Sequence, residues 1–163
     1  MIRIQQEDFS VTDACAQLRA KDPRGTGAIC TFTGLVRDFG DGTDLDAIHL
    51  EHYPGMTEKR LAQIVETARA RWQLIDCIVI HRVGTLRISE QIVFVGVSSA
   101  HRADAFAACE FIMDYLKKDA PFWKKELGQS GTHWVEAKDS DTQRADRWNM
   151  SNEPGSEPNL GTP

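Results

Sequence analysis

QIVFVGVSSAHRADAFAACEFIMDYLKKDAPFWKKE, residues 91–126, carries a strand, a long helix and a charged corner in that order. Gln91 to Ser98 is rich in β-branched valine and isoleucine with Phe94 among them, as a strand packed in a sheet would be. From about Ala100 to Lys117 the pattern changes to a helical one, with Phe106, Cys109, Met113 and Leu116 expected on its buried face. Pro121 blocks continuation of that helix, and because proline suits a first helical position, a new short helix is expected to start there. Lys117 and Lys124 then flank the corner.

Working outward, Ile75 to Val83 is a second apolar strand, and the short connection Gly84 to Glu90 makes an antiparallel pair with residues 91–98. Upstream, Leu61, Ile64, Val65, Ala68 and Trp72 recur at helical spacing, with Thr57 as the expected cap after the break at Pro54 and Gly55. Ala47 to His52 reads as a strand returning from the Gly/Asp-rich loop RDFGDGTD, itself preceded by the strand Gly27 to Val36. Ile2 to Gln6 alternates as a half-buried strand. Ser10 and Asp13 form a capping-box-like start for a helix whose apolar face is Val11, Ala14, Cys15 and Leu18. Trp134 to Ala137 is a further short strand. The order β, α, β, β, α, β, β, α, β predicts an α+β domain, residues 1–149, with a largely antiparallel sheet and helices packed on it. Residues 150–163, rich in Pro, Gly, Ser and Asn, are expected to form a disordered tail.

At 163 residues the chain suffices for one domain with its own core. Its apolar share of 41% falls in separated periodic blocks, which excludes a membrane span, and the absence of a signal-like N-terminus points to the cytoplasm. A net charge of −5 argues against a nucleic-acid binder, whose phosphate contacts need a basic excess. Cys15, Cys30, Cys77 and Cys109 lack metal-ligand spacing and read as small buried apolar residues.

Two groups could carry chemistry. Lys117 and Lys124, with Lys118 and Lys125 beside them, could be tuned toward acid, base or nucleophile by neighbouring cations such as Arg37 and Arg102; equally, lysines at a helix C-terminus simply complement its dipole. His101 and Arg102 stand at the start of a helix, where free N–H groups attract anions, and Arg37 could reach the same anion; the alternative is a helix capped by Ser98 or Ser99 with an exposed His-Arg pair. His49 and Glu51 share a strand face while His52 points the other way, so a three-ligand metal site is not expected. His81, inside an apolar strand, reads as a hydrogen-bonded structural histidine. Phe32, Met113, Phe122 and Trp123 read as core, or as the flat apolar wall a fused ring would need.

The blocks TFTGLVRD (31–38), LEHYPGMTEKRL (50–61), VFVGVSSAHR (93–102), FIMDYLKKDAPFWKKE (111–126) and WVEAKDSD (134–141) resemble, in order, the large-subunit family of molybdopterin synthase. The resemblance implies an α/β hammerhead fold and a homodimer within a heterotetramer. Its two other chains would be small ubiquitin-like sulfur-carrier subunits, whose C-terminal Gly-Gly thiocarboxylate enters the pocket. It implies sulfur transfer to cyclic pyranopterin monophosphate, giving the dithiolene of molybdopterin, with no cofactor and no metal. By position, Lys117 and Lys124 match the family's catalytic lysines. Arg37, His101 and Arg102 match substrate-phosphate positions, the last two reaching across the dimer, and Phe32 and Met113 match pocket-wall positions. The chain departs from the family in the loop 39–44 and in the tail after Trp148. An adaptor that binds a ubiquitin-like tail without turnover is the competing class.

Overall fold

The computed structural model describes residues 1–37, 45–128, 131–135 and 139–150. The elements run β1 (Ile2–Gln5), α1 (Val11–Lys21), β2 (Ala28–Leu35), β3 (Leu45–His52), α2 (Met56–Arg71) and β4 (Leu74–Arg82). They continue with β5 (Gly84–Arg87), β6 (Gln91–Ser99), α3 (Arg102–Asp119), β7 (Phe122–Gly128), β8 (Gly131–Val135) and α4 (Asp139–Met150). The α+β class holds, but the strands form two four-stranded sheets rather than one: β1-β4-β6-β2 and β5-β3-β7-β8. Every pairing is antiparallel except β1 with β4.

The first sheet is covered on both faces, which is why β4 and β6 are nearly continuous apolar runs. On one face Cys77, Val79, Val93, Val95 and Val97 pack against α2 and α3 through Leu61, Ile64, Ala68, Ala108 and Ile112. On the other, Ile78, Ile80 and Phe94 meet Phe9, Ala14 and Leu18. Gly96 lets α1 come this close: a Cβ there would stand 2.6 Å from Leu18 Cδ1 and 2.7 Å from the Phe94 ring. Ser10 caps α1 through the Asp13 amide, as the sequence predicts.

Among the described residues the second sheet buries mainly one face, where Ile48, Leu50 and Leu86 are joined by Val36. His81 of β4 stacks on Phe122 of β7, ring centroids 3.8 Å apart and 13° from parallel, so one aromatic pair bridges the two sheets.

Several expectations change. Residues 122–128 form a strand, not a helix. Residue 120, preceding a proline, is pushed to extended backbone (ψ 125°), and the chain then meets β3 in register, Leu50 opposite Lys124. Gly84–Arg87, read as connection, pairs with β3. The strand read at 134–137 is residues 131–135, and a fourth helix, α4, follows it. Gly55, with φ +82°, stands at the N-cap of α2, where its amide donates to Glu58. Thr57 instead is buried and its hydroxyl binds the Tyr53 backbone. Phe106 is 64% exposed in the first turns of α3, although Met113, two turns on and on nearly the same side, is buried. Cys77 and Cys109 are buried, Cys15 and Cys30 only half so. The loop 38–44 and the tail 151–163 lie outside the described residues; Met150 closes α4.

Candidate active site

α3 runs back along the face of β6. The Cys109 thiol donates to the Val95 carbonyl at 3.8 Å, so the N-terminus of the helix lies at the Ser99 end of β6 and its last turn at the Gln91 end. β2 runs antiparallel to β6, Leu35 opposite Gln91 and Ala28 opposite Ser99. Lys117, in the last turn of α3, and Arg37, just beyond β2, therefore occupy the same end of the first sheet. Lys124 joins them from the second sheet. Its cross-strand partner Leu50 packs with Val36, the residue before Arg37. Met113 lies one turn before Lys117 on the same side of α3 and is buried. Phe32, on the edge strand β2, is 41% exposed and its ring lies against Gly34, where an added Cβ would come within 3.3 Å of it.

The lysines flank a corner as expected, but they differ in setting. Lys117 is exposed. Lys124 is partly buried, and its ammonium is 3.0 Å from the Glu126 carboxylate. A strand puts residues i and i+2 on one face, so Lys124 and Glu126 project together toward the half-buried side. Sequence reading missed Glu126 because the segment was taken as a helix; read as a strand, the spacing K-x-E would have shown the pair. Thr57 also reaches the corner, its hydroxyl oxygen 3.4 Å from the Pro121 carbonyl.

His101 and Arg102 do not belong to this cluster within one chain. Arg102 and Lys117 are fifteen residues apart on one helix, about 22 Å along its axis. Arg37 is as far from His101, because the length of β2 separates them, about 23 Å. Arg37 thus cannot share an anion with them in the same chain, nor can Arg102 crowd Lys117. His101 stands at the N-cap of α3 without a side-chain hydrogen bond to the helix, and its own amide donates to Ser99 Oγ at 3.3 Å. The first-turn amides are open to an anion, with Asp104 the acidic residue of that turn.

Three further histidines are held in local contacts. His49 and Glu51 share the outer face of β3, 3.7 Å apart, while His52 turns the other way to Glu58 at 3.5 Å. His81 is buried, and its Nδ1–H donates to the Arg82 carbonyl at 2.8 Å. Burial holds its imidazole down to about 4.

An α+β fold with two lysines at a helix–strand corner sets the frame, and residues 4–119 match the family described as MoaE protein. The chain belongs to that family. A relative from Ralstonia nicotianae, named molybdopterin synthase catalytic subunit, is 55% identical over 149 residues, covering 91% of this chain and 84% of its own length. Among solved structures, the molybdopterin biosynthesis MoaE protein from Burkholderia ambifaria MC40-6 superposes with a TM-score of 0.79 at 48% identity, covering 91% of this chain and 97% of that one. Molybdopterin synthase from Staphylococcus aureus gives 0.74 at 34% identity, with 82% and 95% covered. Lys124 and Glu126 lie beyond the segment matched by the family model.

Proposed function

We propose that this chain is the catalytic subunit of a molybdopterin synthase. Sulfur arrives as the C-terminal thiocarboxylate of a small ubiquitin-like carrier subunit and passes to cyclic pyranopterin monophosphate. Two transfers, from two carrier tails, build the dithiolene. The observation that carries this reading is the corner itself: an exposed lysine and a carboxylate-held lysine converge from a helix and a strand beside an apolar wall and an arginine. Lys117 stabilises charge developing on the acyl group or moves a proton, while Lys124, fixed by Glu126, positions tail and substrate. Arg37 binds the substrate phosphate, with Phe32 and Met113 as walls.

His101 and Arg102 enter the site from a second copy of the chain, in a heterotetramer of two large and two small subunits. Two features support this. The same-chain separation of about 22 Å leaves them useless to their own Lys117. The edge strand β2, which pairs only with β6 among the described residues, exposes Ile29, Phe32 and Leu35, an apolar edge suited to being covered by another chain. An antiparallel β2–β2 contact would bring the Ser99 end of one copy to the Gln91 end of the other. We assign the complex to the cytoplasm, in keeping with four thiols that form no disulfide.

The test is a single-turnover assay with thiocarboxylated carrier and cyclic pyranopterin monophosphate, comparing wild type with Lys117→Ala. Dithiolene formation by wild type and a loss of 10²-fold or more in the variant, with carrier binding retained, is the expected result. Carrier binding without product from wild type would favour the adaptor class.

A further inference from the structure

α4 lies along the outer side of α3 and is held there by an unusual density of directed contacts. Asp114, on α3 between Met113 and Lys117, is a buried carboxylate, its side chain 8% exposed. One of its oxygens, Oδ2, accepts from both Arg147 Nη2 and Trp148 Nε1, each at 2.8 Å. The same guanidinium reaches Glu110 at 2.6 Å, Lys118 pairs with Asp146, and the Tyr115 hydroxyl donates to Asn149 at 3.1 Å. The Trp148 ring meets Trp72 and Phe111 edge-on at 5.6 and 5.5 Å, and Arg71 donates to the Trp148 carbonyl. On α3 these contacts fall at 110, 111, 114, 115 and 118, a stripe over the two turns that carry Lys117.

The other end of α4 leads back to the second lysine. β8 is paired with β7, Val135 opposite Lys124, and α4 follows β8. The β7–β8 hairpin is thus fastened to α3 twice, once through the corner at residues 120–121 and once through α4. An apolar contact would hold α4 down without the desolvation cost of a buried carboxylate. What Asp114 adds is orientation, since two donors converging on one oxygen admit a single rotation and register of α4.

We infer that α4 is a clamp that sets the spacing between Lys117 and Lys124, with Asp114 and Trp148 as positioning residues for the transfer reaction; this rests on the assignment of the two lysines above. The clamp touches neither the substrate nor the carrier's tail. It keeps the strand that carries Lys124 from drifting relative to the helix that carries Lys117, a tolerance on which reaction rates depend steeply.

The experiment uses full-length Trp148→Ala, Asp114→Asn and Trp148→Phe, with Lys117→Ala alongside. Turnover is split into kcat and KM, backbone hydrogen exchange is followed in β7, β8 and α4, and melting temperature is measured. Trp148→Ala and Asp114→Asn are expected to raise exchange in α4, β7 and β8. Their kcat should fall about 10- to 100-fold at temperatures where both remain folded, with KM for the carrier little changed. Trp148→Phe, which keeps the ring cluster but gives up the indole donor to Asp114, should fall between wild type and Trp148→Ala in both rate and exchange. A freed α4 with unchanged β7 exchange and unchanged kcat overturns the clamp, as does a rate loss that merely tracks the unfolded fraction. Should Lys117→Ala keep full turnover, it is the assignment of the lysines that has failed, and exchange in β7 and β8 alone then decides whether α4 clamps the hairpin.

Discussion

The sheet β1-β4-β6-β2 is buried on both sides, and the sheet β5-β3-β7-β8 on one. Along β6 seven consecutive residues from Val93 to Ser99 are buried; along β7 none is. The first sheet can carry no charge on β6 without an uncompensated desolvation cost, so it serves as scaffold. On the second, Lys124 and Glu126 stand on the packed face opposite Leu50 and Ile48, half-buried and paired with each other. The lysines proposed to carry the chemistry stand at the seam, where the helix packed on one sheet hands the chain to a strand of the other.

The contrast is sharpest in what a truncation costs. Phe94→Ala removes a fully buried ring between Phe9 and Leu18 and should destabilise the fold by about 3–5 kcal/mol, read from denaturant unfolding. Turnover of the molecules still folded should be close to wild type. A cost under 1 kcal/mol would mean that the face against α1 is not the tightly packed layer described above.

A smaller effect tests the seam. His81 is held neutral by burial, its folded value lowered from 6.5 to about 4, with the nearby His52 adding to the lowering and the Arg82 carbonyl opposing it. A base whose folded pKa is depressed favours the unfolded, protonated chain as acid is added. Stability does not depend on this group above about pH 6.5 and falls progressively between about 6.5 and 4 as the unfolded chain takes up the proton. The full loss is about 3 kcal/mol. His81→Phe, which preserves a ring against Phe122 but gives up the bond to the Arg82 carbonyl, should start less stable at pH 7 and then lose less over that window. Parallel pH curves for the two proteins would show that His81 is not the titrating group.

How legible all this was in the sequence follows the same division. The strands of the first sheet and the helices on it announce themselves in apolar runs and 3.6-residue spacing, because local pattern and burial agree there. In the second sheet β3 was read as a strand and β8 in part, but β5 and β7 were not. Pro121 suits a helix start as well as the residue before a strand, and β3, which decides the matter by pairing with β7, is some seventy positions away. Glu126 was lost with that misreading. α4 was unreadable for a related reason: apart from Ala145, Trp148 and Met150 its sequence is polar, and it is held by partners on α2 and α3. The lysines were visible as a charged corner, yet only the family resemblance distinguished them from solvated helix-end charges. By contrast, the separation of Arg102 from Lys117 needed no structure, since fifteen helical residues fix it.

The smallest effect separates two adjacent lysines. Lys124 and Lys125 are neighbours in sequence, but strand alternation sends them to opposite faces of the same sheet. Lys125 projects to the outer face, where its ammonium sits 4.0 Å from the centroid of the Trp134 ring and 3.4 Å from a Glu51 oxygen. Both contacts are open to solvent, so Lys125→Ala should cost less than about 1 kcal/mol and less still in high salt. Turnover should hold within two-fold, while Lys124→Ala, on the inner face beside Glu126, should lose most of it. Equal losses from the two variants would mean that chemistry is not confined to one face of β7, and the distinction between a working inner face and a solvated outer one would fall.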